Sequence, residues 1–147
     1  MLLLTLAGCR RDLPVREPSP APDKGAAVRD LDDLTLTLKV FPEPPTSVGT
    51  PLNLTLFVLA KKDMTLEFSS SNRFDLEVSD ESGNVWSSSE SKAYAQVLGE
   101  EKIGVGESVQ YGDVWVPTAP GVFHVTGRIT TTTRDDLIVE RDLRVDP

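Results

Sequence analysis

The sequence is short of the residues from which most active sites are built. Among its 147 residues there is one histidine, His124, and one cysteine, Cys9. A lone cysteine excludes an intramolecular disulfide. One cysteine and one histidine cannot supply the usual zinc ligands. A nucleophile–base pair built on imidazole would have to use His124, which alternates with Phe123 and Val125 and so points to the opposite face of a strand. No HExxH, nucleophile elbow or phosphate-binding glycine loop is present. The expectation is no catalytic residue, no metal and no cofactor, and hence not an enzyme. An enzymatic reading would need a deep pocket in which His124 meets two carboxylates. Positive charge is scarce too. Lys plus Arg number 15 against 23 Asp plus Glu, for a net charge of −8. Such a chain repels phosphate backbones, which argues against nucleic acid as a partner. Helical periodicity is missing over any stretch of about ten residues or more. No apolar run approaches the roughly 20 residues that a membrane-spanning helix needs.

What is there is period two. In Leu34–Phe41, the residues Leu34, Leu36, Leu38 and Val40 share one face, and Thr35, Thr37 and Lys39 the other. Leu52, Leu54, Leu56 and Val58 repeat the pattern after a turn region holding Pro42, Pro44, Pro45 and Gly49. Met64–Phe68 is a short strand. Phe74, Leu76 and Val78 alternate with Asp75, Glu77 and Ser79, and the turn at Glu81-Ser82-Gly83-Asn84 makes residues 73–89 a hairpin. Tyr94–Leu98 has no clear period. Val109, Tyr111 and Trp115 belong to a further strand. Phe123, Val125, Gly127 and Ile129 share a face in the next, and Leu137, Val139, Leu143 and Val145 face inward in the last. Short strands punctuated by glycine and proline predict an all-β, antiparallel, immunoglobulin-like β-sandwich over residues 34–147, without a disulfide.

The first residues differ from the rest. MLLLTLAG ends at Cys9, and Leu6-Ala7-Gly8-Cys9 looks like a bacterial lipobox, in which the cysteine thiol is lipidated. No Lys or Arg precedes the apolar run, so residues 1–9 are read as a truncated signal peptide with Cys9 as the lipidation site. Residues 10–33 carry Pro14, Pro18, Pro20 and Pro22 and few large apolar side chains, the composition of a disordered tether. The expected location is the cell envelope, outside the cytoplasm, with a lipid anchor as the contact to the membrane.

The carboxylates Asp75, Glu77, Asp80 and Glu81, and the pair Asp135-Asp136, follow no calcium-loop spacing. They read as solvated surface. Trp86 and Trp115 read as core, with Trp86 the more buried.

From Asn72 onward the order of motifs resembles a known family. Phe74-Asp75-Leu76-Glu77-Val78 is followed by Gly83-Asn84-Val85-Trp86, then Tyr94-Ala95-Gln96, Gly106-Glu107, Trp115 and Pro120-Gly121-Val122-Phe123. This series is similar to the BsuPI domain, the intracellular proteinase inhibitor family. The resemblance spans roughly residues 34–145. It implies an immunoglobulin-like sandwich and, as protein partner, a serine protease of subtilisin type; the chain itself is expected to be a monomer. It departs in Phe123, where the family often has Tyr, and in the lipobox-like start. No reactive-site residue carries over, because Phe74, Gly83, Trp86, Gly106, Trp115 and Gly121 have turn or packing explanations. The partner-binding loops expected at one end are residues 69–72, 87–92 and 99–106. The alternative is a non-inhibitory adhesion or assembly module of the envelope on the same sandwich.

Overall fold

Alternation decides the architecture. The computed structural model describes residues 26–90 and 92–147. The strands are β1 (Ala26–Asp30), β2 (Leu34–Phe41), β3 (Thr46–Ser47), β4 (Leu52–Ala60), β5 (Met64–Phe68), β6 (Phe74–Asp80), β7 (Gly83–Ser87), β8 (Gly99–Ile103), β9 (Ser108–Trp115), β10 (Gly121–Ile129) and β11 (Ile138–Asp146). Among the described residues there is no helix. One sheet has the order β1-β2-β4-β9 and the other β3-β11-β10-β6-β7, while β5 and β8 form a small ribbon of their own.

The sheets bury their inner faces against each other. Leu34, Leu36, Leu38, Leu52, Leu54, Leu56 and Val58 come from one sheet, and Leu76, Val78, Val125, Ile129 and Val139 from the other. Register keeps each set in line. Leu38 pairs with Leu56, and Leu56 with Tyr111. Val125 pairs with Val78 on one side and Arg141 on the other. A one-residue slip in any of these ladders would turn the leucines to water.

Three expectations change. The folded part begins before Leu34: Ala26–Asp30, inside the stretch 10–33 read as a tether, pairs antiparallel with β2 from Ala26↔Lys39 to Asp30↔Thr35. Its backbone completes the edge of β2, and only Ala27 of the strand packs against the core. Residues 1–25, with Cys9 and the rest of the tether, lie outside the described residues. Pairing is not wholly antiparallel either, because β3 joins β11 in parallel through Thr46↔Val145. Finally, the tryptophans exchange ranks. Trp115 is 5% exposed, whereas Trp86 is half-buried on the edge strand β7, where one flank has no neighbour to cover it.

One end of the sandwich carries most of the irregular chain. The start of β2, the end of β4, the start of β6, the end of β10 and the start of β11 all meet there, linked by the 31–33, 69–73 and 130–137 connections. The β5–β8 ribbon is tied to the same end. Thr132 N–H and the buried Thr131 hydroxyl both donate to the Glu67 carbonyl, at 2.8 and 2.7 Å. Arg134 fastens the 130–137 connection to the β1–β2 turn, with Nη1 2.6 Å from Asp33 and Nε 2.7 Å from Asp136. Hydrogen bonds from Arg134 hold both carboxyls below the usual carboxylate range. Asp136 is therefore part of a clamp, although the sequence reads it as solvated surface.

Candidate functional site

A sandwich offers a partner either a flat sheet face or the loops at its ends, and here the loops at one end are elaborate. The connection from β7 to β8 is the longest of them. It departs from Ser88, which is buried because it is locked to β6: its N–H donates to the Leu76 carbonyl at 2.8 Å and its Oγ accepts from Leu76 N–H at 2.9 Å. Lys92 then pairs with Asp113 of β9. Ala95 meets Ser71 twice. Ser71 N–H donates to the Ala95 carbonyl and Ala95 N–H donates to Ser71 Oγ, each at 2.9 Å. The chain regains strand pairing at Gly99, opposite Phe68.

Between these fixed points residues 92–98 have no regular structure, and Val97 and Leu98 are 58% and 83% exposed. Leu98 stands beside a shallow groove whose walls include Glu67, Phe68, Glu100 and Thr132. The Arg73 guanidinium lies over the Phe68 ring, 4.5 Å from its centroid, and stiffens the floor. An irregular loop on a rigid scaffold, held at both ends and tipped with apolar side chains, is suited to protein binding.

The three expected loops fare differently. Residues 69–72 do belong to this cluster, through Ser71. Residues 87–92 supply its anchored entry. Of residues 99–106, Gly99–Ile103 is strand β8 and only the rest is a turn, where Gly106 needs its φ of +83°. The exposed segment, residues 93–98, was not among the three. Its sequence signal is the apolar pair Val97-Leu98 outside any alternation, immediately before Gly99.

His124 does meet two carboxylates. Nδ1 is 2.7 Å from Asp142 and Nε2 is 2.6 Å from Glu140. The ring is 42% exposed on the outer face of β10, so no deep pocket surrounds it. With a carboxylate at each nitrogen, the imidazolium is the form that satisfies both contacts, and no nitrogen is left as a base. The hydrogen bond to Asp142 raises the His124 pKa above its ordinary value; burial opposes it, and the hydrogen bond to Glu140 adds a lesser upward push. A raised folded-state pKa means that this stabilisation is full below about pH 6.5 and is lost as pH climbs through the raised value. Exposure keeps it below about 1 kcal/mol. Melting curves of the wild type and His124→Gln should therefore differ most below about pH 6.5 and converge as pH rises above that. A gap that widened with pH would contradict this assignment.

The acidic residues of the hairpin do not converge. Asp75 accepts from Asn72 Nδ2 at 3.0 Å at one end of β6, and Asp80 accepts from Ser82 N–H at 2.8 Å at the other. Among the described residues no group of His, Cys, Asp and Glu is placed to hold a metal ion.

Comparison with known proteins gives one family. The model of the BsuPI family, described as intracellular proteinase inhibitor, matches residues 36–134. No curated protein matches the chain. Among solved structures, a β-glucosidase from Listeria innocua in complex with glucose is 11% identical over 78% of this chain, with a TM-score of 0.39. The same enzyme in complex with isofagomine is 13% identical over 78%, with a TM-score of 0.44. The chain spans 16% of the length of either enzyme chain. Likeness at that level assigns neither a fold nor an activity to this chain.

Proposed function

The chain belongs to the BsuPI family of intracellular proteinase inhibitors, and from that membership we propose that it acts by binding a protease and blocking its cleft. The observation that carries this reading is the extent of the match. Residues 36–134 run from β2 to the far side of β10, so they include the Ser71–Ala95 clamp and the exposed loop at 92–98. The proposed target class is a subtilisin-type serine protease, as the family resemblance implies.

The lipobox-like Leu6-Ala7-Gly8-Cys9 and the proline-rich stretch after it support a second element of the proposal. The sandwich is carried outside the cytoplasm on a lipid at Cys9, although the family is described as intracellular. Its targets there would be secreted or envelope proteases. The test is inhibition by the purified full chain across a panel of subtilisin-type proteases. Inhibition at micromolar concentration or below is expected for at least one, and no inhibition of any would overturn the reading.

A further inference from the structure

Three observations coincide at residues 96–98. The first concerns the backbone. Among the described residues, the N–H and C=O groups of Gln96, Val97 and Leu98 make no hydrogen bond within the chain, while Ala95 on one side and Gly99 on the other are both paired. The second is exposure. Leu98 is 83% exposed and Val97 58%, so folding leaves two aliphatic side chains in water and gains nothing for the core. The third is constraint. The loop is tied through Ser71 at Ala95 and through Phe68 at Gly99, so only the span between them is open.

Two other well-exposed apolar residues are placed differently. Phe41 is 72% exposed and Val122 65%, yet both lie within paired strands, opposite Asn53 and Arg144.

We propose, resting on the protease-binding reading above, that Leu98 is the side chain this protein inserts into its target. The partner is a protease whose specificity pocket accepts a large aliphatic group. The open N–H and C=O groups of residues 96–98 pair with the edge of the cleft, as an added strand would. Clamping at Ala95 and Gly99 lowers the ordering cost of that pairing. Glu67 and Glu100 flank Leu98 in the groove, so the rim of the partner's cleft should be neutral or positive, because opposed carboxylates would repel.

The experiment compares inhibition constants of full-chain variants against a subtilisin-type protease that the wild type inhibits. Leu98→Asp should raise the inhibition constant by about 100-fold or more, the scale of losing a central apolar anchor. Leu98→Met should stay within about threefold, because it keeps aliphatic bulk. Val122→Asp, at the opposite end of β10, should leave inhibition unchanged. The Leu98 side chain is outside the core, so melting temperatures should stay within a few degrees of wild type. Should Leu98→Asp unfold the chain, Leu98→Ala carries the same test with at least a tenfold weakening expected. Undiminished inhibition by the Leu98 variants would overturn the assignment of Leu98 and leave the protease-binding reading intact. Absence of inhibition by the wild type on every protease would overturn both.

Discussion

Trp115→Ala should destabilise the domain by about 3–5 kcal/mol, the range for removing a large aromatic side chain from a core. Trp115 ends β9, pairs with Leu52, and is 5% exposed. Its ring meets Phe123 of the opposite sheet edge-on, with centroids 5.1 Å apart and an interplanar angle of 68°. That geometry adds roughly 0.5–1.5 kcal/mol to what burial alone supplies. Without the indole, Phe123 loses its partner and the two sheets lose a contact between them. The melting temperature should fall by roughly 10–20 °C. Trp115 lies at the end of β9 away from the loop cluster, so the variant should still inhibit at temperatures where it remains folded. If Trp115 were a binding anchor, inhibition would vanish while the melting temperature held. Trp86→Ala should cost less than Trp115→Ala, because the Trp86 ring sits half-buried on an edge strand.

A second large effect is expected where Gly127 of one sheet faces Leu56 of the other. Leu56 is fully buried at the centre of β4, and Gly127 of β10 faces it from the other sheet. A Cβ added at Gly127 would lie 2.5 Å from Leu56 Cδ2. Leu56 therefore occupies the space that the glycine leaves. Leu56→Ala should cost about 2–5 kcal/mol through the cavity it opens. Gly127→Ala should cost about 1–3 kcal/mol, because the new methyl forces Leu56 from its place in a packed core. The double variant should be less destabilised than the sum of the two, since the added methyl moves into the vacated volume. A coupling of about 0.5–3 kcal/mol is the expected signature, read from denaturant midpoints of all four proteins. Strict additivity would mean that the two residues do not share that space.

The same contact shows what the sequence can and cannot reveal. Gly127 falls in the inward register with Phe123, Val125 and Ile129, so its face was legible from alternation. Its reason for being glycine was not, because Leu56 is remote in the chain and meets it only through the packing of two sheets. The inner faces of β2, β4, β6 and β10 were legible from alternation over their length, and that of β11 despite Arg141 in the inward phase between Val139 and Leu143. β1 was not, since Ala26-Ala27-Val28-Arg29-Asp30 carries little apolar weight and is held by its ladder to β2. The β5–β8 ribbon joins segments separated by a hairpin and a long loop, so Met64–Phe68 could be read as a strand but its partner could not. The anchors of residues 92–98 come from Ser71, Leu76 and Asp113, all distant in sequence. That explains why Tyr94–Leu98 lacked a period: it obeys contacts, not a repeat.

Exposed carboxylates follow a similar rule. Asp33 and Asp136 lie far apart in the sequence, each beside another aspartate, and the fold brings both to Arg134. Asp142 and Glu140 stand two apart on β11, and the cross-strand register places His124 opposite Asp142 with Glu140 on the diagonal, so that each ring nitrogen meets a carboxylate. In both cases residue type was informative and pairing was supplied by topology.

In the proposed binding mode the loop-bearing end of this sandwich occupies a protease's cleft. Steady-state inhibition of a subtilisin-type protease by the full chain, measured at several concentrations of a small peptide substrate, tests it most directly. Competition for the cleft predicts that the apparent inhibition constant rises linearly with substrate concentration. An apparent constant that does not move with substrate would place the contact away from the cleft and contradict the account.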